Sequence, residues 1–121
     1  MSDQDKDKDK GKDASAKPLE KARVDVDVEP KHRYNNQDRE YAERAKRRIQ
    51  KSIKEAIEKP ENKKDGAEKQ LQEADRALNR ERDQASKERI DKIKVKVSGV
   101  HEDENGNPET ITREREVKPG D

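Results

Sequence analysis

Val24, Val26 and Val28 alternate strictly with Asp25, Asp27 and Glu29. Successive side chains of a strand point to opposite faces, so this run must present one apolar and one acidic face. It reads as a half-buried strand over residues 22–29, ended by Pro30. Ile93, Val95 and Val97 repeat the pattern against Lys94 and Lys96, which gives a second strand with a basic outer face. A third runs from about Thr110 to Val117.

Between the first two strands the period changes. Ala42, Ala45, Ile49, Ile53, Ala56 and Ile57 recur at three and four, a helical stripe spanning about Asp38 to Lys59. Asn36 or Asp38 can cap its start. Pro60 closes it, with Asn62 to Gly66 expected as a loop. Ala67, Leu71, Ala74, Leu78 and Ala85 form a second stripe, interrupted at Glu81. Asp65 and Glu68 have capping-box spacing at its start. Alanine at these positions lets two helices approach closely, so a helical hairpin is expected.

Turn chemistry sets the strand pairing. Asn105-Gly106 is a two-residue hairpin signal and would put Val100 opposite Ile111. The alternation changes parity at Ser98-Gly99, as a β-bulge there would require. With that bulge Lys96 faces Glu114, Lys94 faces Glu116 and Ile93 faces Val117. The acidic face of the first strand meets the same lysines from the other side. The expected fold is therefore α+β: a three-stranded antiparallel sheet in β-α-α-β-β order, with a helical hairpin on one face. Residues 18–118 form this domain and 119–121 a short C-terminal tail. Residues 1–17, with five acids, five bases and no large apolar residue after Met1, read as a disordered charged tail.

Composition limits what such a fold can do. Lys plus Arg number 31 and Asp plus Glu 30 of 121 residues, whereas Leu, Ile and Val together number 16. So little apolar surface leaves scarcely enough to line a catalytic pocket. No Ser-His-Asp, P-loop or GxGxxG pattern occurs, and a non-enzymatic protein is expected. Zero Cys removes thiolate chemistry and Cys-type zinc sites, and suits the cytoplasm. No run approaches the ~18 apolar residues of a membrane span, and the N-terminus has no apolar leader core. Asp103, Asn105, Asn107, Glu109 and Glu114 have calcium-loop spacing, but Pro108 stands where that loop needs Gly. His32 and His101 fall in polar stretches, as exposed loop histidines do. No cofactor is expected.

The strongest cluster is basic: Arg44, Lys46, Arg47, Arg48, Lys51 and Lys54 on the first helix, with Lys31, His32 and Arg33 just before it. Residues 38–59 carry eight bases and five acids. Such a face suits a polyanion or an acidic protein surface. Glu40, Glu43, Glu55 and Glu58 sit among the bases, with Glu40–Arg44, Glu43–Arg47 and Glu55–Lys59 at helix-pair spacing. Only Tyr34 and Tyr41 could stack on bases. The leading expectation is a small protein-interaction or assembly module, docking a protein partner or a second copy through sheet edges and Ala-lined helices. A weak nucleic-acid binder acting through the first helix is the alternative. A largely disordered stress protectant is a third reading. The agreement of strand pattern and turn chemistry is also what a designed chain shows.

Overall fold

The computed structural model describes residues 17–119. The elements are β1 (Glu20–Pro30), α1 (Asn36–Glu58), α2 (Pro60–Asp65), α3 (Ala67–Ala85), β2 (Ile90–Glu102) and β3 (Pro108–Val117). The sheet is antiparallel in the order β1-β2-β3. Val24, Val26, Ile93, Val95 and Val97 face the helices, and the charged residues between them face water. This is the expected α+β arrangement. The expected charged tail lies outside the described residues except for Lys17, whose carbonyl accepts from the Ala67 N–H at 2.9 Å.

The core lies between the sheet and the two long helices. Ala45, Ile49, Ile53 and Ala56 of α1 meet Leu71, Ala74, Ala77 and Leu78 of α3 within it. The alanines expected to dock a partner are thus consumed inside the domain. Burial of Ile49, Ile53, Ile57, Leu78, Ile90 and Ile93 is worth roughly 2 kcal/mol each. Gln70 sits fully inside, accepting from the Leu19 N–H at 2.9 Å and donating to the Ile57 carbonyl at 2.7 Å. Its amide ties the entry to β1, the end of α1 and the start of α3 together.

Two local expectations fail between the long helices. Residues 60–65 form a helix instead of a loop, because Pro60 occupies its first turn, where a missing N–H costs nothing. The Asp65–Glu68 capping box is not made; Gly66, at φ 100°, ends α2 and begins α3. Asn62 is buried and donates to the Ala56 carbonyl at 2.7 Å, locking α2 onto α1.

The β2–β3 register matches the expected ladder, with Lys96 opposite Glu114, Lys94 opposite Glu116 and Ile93 opposite Val117. Its cause differs. No bulge interrupts this pair, and Gly99, not Val100, stands opposite Ile111. The connection is also longer than two residues: the Asp103 carboxylate accepts from the N–H groups of Asn105 and Asn107 at 2.8 and 2.9 Å. That side chain opens a loop between Glu102 and Pro108, shifting the register by the one residue assigned to a bulge. Val100 therefore stays on the outer face, opposite Thr110.

The irregularities lie between β1 and β2 instead. Lys21 and Ala22 together oppose Gly99, with Lys21 at φ 54°. At the other end, Asp91 is the extra residue between Ile90 and Lys92, which turns Ile90 back into the core beside Ile93. Gly99 does not have the expected positive φ. It is glycine because Leu19 crosses it: a Cβ at position 99 would lie 3.2 Å from both Cβ and Cδ2 of Leu19.

Candidate functional site: an arginine-lined hollow beside β1

The loop from Lys31 to Asn35 turns the chain from β1 into α1. Asn35 caps the helix, its side chain accepting from the Asp38 N–H at 3.0 Å. Asp38 is completely buried, a position the periodicity only marked as a possible cap. Its carboxylate lies 2.8 Å from the His32 Nδ1 and 3.3 Å from an Arg89 guanidinium nitrogen. Burial pushes the Asp38 carboxyl up, but the His32 and Arg89 hydrogen bonds outweigh it and hold it below its ordinary value. The Lys31 N–H also donates to the Arg89 carbonyl, at 2.8 Å. The loop is thus pinned to the start of β2.

Arg33 and Tyr34 of the pinned loop line an open hollow of about 950 Å³. Val28 and Pro30 contribute the end of β1, and Arg39, Glu40, Glu43, Arg44 and Arg47 the exposed side of α1. Tyr34 is 90% exposed. Arg44 pairs with Glu40 at 3.7 Å and lies over the Tyr41 ring, 5.4 Å from its centre. Arg39 bonds the Asn36 side chain. Among the described residues, Arg33, Arg39 and Arg47 have no carboxylate at ion-pair distance. The Glu43–Arg47 and Glu55–Lys59 pairs expected along the helix are not formed; Glu40–Arg44 is.

The six basic residues singled out from the sequence do not form one patch. Arg44 and Arg47 line the hollow. Lys46 and Lys51 are exposed on α1 outside it. Lys54 borders a separate depression with Leu19, Lys21 and Lys63. Arg48 turns away, to Glu81 of α3 at 2.6 Å and to Glu88 at 2.8 Å. The interruption of the α3 stripe at Glu81 was the trace of that pair. Arg39, Arg33 and Tyr34 join the site because the loop folds back, which no helical period reveals.

His32 is an exposed loop histidine, as expected, but His101 is not. His32 holds Asp38, and His101 lies within β2, its side chain 10% exposed and its Nε2 2.8 Å from Glu109. Among the described residues no three His, Cys, Asp or Glu side chains converge as metal ligands would. No described helix is long and apolar enough to cross a membrane. No family model matches the chain, and no curated protein or solved structure is significantly similar to it.

Proposed function

We propose that the chain is a non-enzymatic interaction module of the cytoplasm that holds an acidic segment of a partner protein in the hollow beside β1. The supporting observation is the convergence of Arg33, Arg39 and Arg47, all without carboxylate partners among the described residues, on one open concavity. Guanidinium groups left unpaired in a domain so rich in carboxylates remain available to carboxylates from outside. Glu40 and Glu43 line the same hollow and would repel a uniform phosphate backbone. A protein segment of mixed charge can answer both signs. Among the described residues the side chains with displaced ionisation, Asp38 and Arg48, are engaged in ion pairs that hold loops and helices, which favours a binding role over catalysis. The packed core counts against the protectant reading.

A second reading has its own observation. Tyr34 stands almost wholly exposed among the arginines, as a base-stacking residue does. Fluorescence anisotropy at low salt, with a labelled Glu-rich peptide and a single-stranded DNA of equal charge, separates the two. The peptide is expected to bind, and the Arg39→Glu/Arg47→Glu double variant to lose it. Preference for the DNA, weakened by Tyr34→Ala, would select the nucleic-acid reading. Binding of neither probe would sink both.

A further inference from the structure

The two edges of the sheet are protected unequally. Along β1, α1 lies against the strand, and Gln50 donates to the Val24 carbonyl at 3.0 Å, occupying an edge acceptor. β3 is the opposite edge, with β2 on one side only. It pairs with β2 without a bulge from Pro108 to Val117, so nothing twists its outer side away. Natural sheets blunt such edges with inward charges, lysines, prolines or bulges. Arg113 and Arg115 supply inward charges to the second half of β3, both reaching Asp75, at 3.4 and 3.6 Å. The first half has Pro108 and then Glu109, whose carboxylate lies 2.8 Å from the His101 Nε2, before the uncharged, β-branched run Thr110-Ile111-Thr112.

That run is flanked by Glu109 and Arg113, opposite charges at equal distances from Ile111. In antiparallel pairing of two copies about Ile111, Ile111 meets itself, Thr110 meets Thr112 and Glu109 meets Arg113, each twice or on the axis. These three kinds of opposed pair all stabilise strand pairing, and the next position outward sets Pro108 opposite Glu114, where the ladder ends. Parallel pairing in register would set Glu109 on Glu109 and Arg113 on Arg113. Antiparallel pairing about Thr112 would face Ile111 with Arg113. About Arg113 it would bring two guanidinium groups together, and about Glu114 two carboxylates.

We propose that β3 pairs with β3 of a second copy of this chain, antiparallel and centred on Ile111, joining two three-stranded sheets into one of six. The edge used is the one farthest from the arginine hollow, so the pairing stands independently of the function proposed for that hollow. A pair assembled this way presents two hollows, one beside each outermost β1.

The test uses the full chain and the absence of native cysteine. In Ile111→Cys the only disulfide available joins the two copies. Directly opposed residues have Cα atoms about 4.5–5.5 Å apart, within disulfide reach. In Arg115→Cys the two thiols are offset by eight residues, roughly 27 Å along the pair. Mild oxidation is expected to convert Ile111→Cys to a covalent dimer and to leave Arg115→Cys monomeric. Sedimentation equilibrium of the unmodified chain should show its mass doubling as concentration rises. Glu109→Arg and Arg113→Glu should each be monomeric, and an equal mixture of the two should recover the doubled mass, because every Arg then faces a Glu. Arg47→Glu should leave association unchanged. An unmodified chain that stays monomeric overturns the proposal, as does equal cross-linking of both cysteine variants. So does a mixture that fails to associate while each variant keeps its circular dichroism and melting curve. If Arg113→Glu unfolds through loss of Asp75, the cysteine pair still decides.

Discussion

Arg48 of α1 donates two parallel hydrogen bonds to the Glu88 carboxylate, at 2.9 and 2.8 Å, and a third to Glu81 at 2.6 Å. One guanidinium thereby joins α1, α3 and the turn into β2. The Glu88 bonds chiefly, with the one to Glu81, raise the Arg48 pKa well above its ordinary range against the effect of burial. Both carboxylates are largely buried, so removing the arginine strands two acids beside one another. Arg48→Ala is expected to lower stability by about 2 kcal/mol, between the surface and fully buried limits. Arg48→Lys should recover only part of that, because an ammonium cannot make the two-pronged bond. Urea denaturation of the three proteins checks both statements, and full recovery by lysine would refute the forked geometry.

Gly99 and Leu19 form a close-packed pair rather than a glycine-only backbone conformation. Gly99→Ala would drive a methyl to 3.2 Å from the Leu19 side chain, at an expected cost of about 1–3 kcal/mol. Leu19→Ala in the same chain should return part of that cost, giving a coupling measurable in a double-mutant cycle. Strict additivity of the two changes would show that they do not touch.

Acid sensitivity should trace to Asp38. Its folded pKa is depressed, so its charge contributes stability at neutral pH. That contribution is present above the ordinary carboxyl value of about 3.9 and lost as pH falls through the lower folded value. Asp38→Asn should lower Tm at pH 7 and flatten the fall of Tm below about pH 4. An unchanged acid limb would place the sensitivity elsewhere.

The outer ladder is set by register. Lys96 lies between Asp25 and Glu114, and Lys94 between Asp27 and Glu116. Among the described residues the ion pairs formed on this face are Lys92–Glu29 at 3.8 Å and Arg23–Asp25 at 3.3 Å. Lys96→Glu should destabilise, and adding Glu114→Lys should restore about 0.2–1 kcal/mol of coupling. No coupling between positions 96 and 114 would show that opposed charges on this face do not interact.

The three strands, the two long helices and the faces they bury were legible in the sequence, because periods of two and of three to four are local and survive in a chain half made of charges. The lysine–glutamate register was legible too, though reached through a bulge and a tight turn that cancel each other. What actually sets it is the Asp103 carboxylate capturing two backbone N–H groups, a choice between loop geometries that composition leaves open. The helix after Pro60, the inward turn of Arg48, the burial of Asp38 and Gln70, and the close contact of Leu19 with Gly99 were decided by tertiary structure alone. So was the hollow, since Arg33 and Tyr34 meet Arg39 and Arg47 only where Asp38 pins the loop to Arg89. Each of these depends on partners far apart in the chain, and a local pattern records which face a residue takes but not what it will find there.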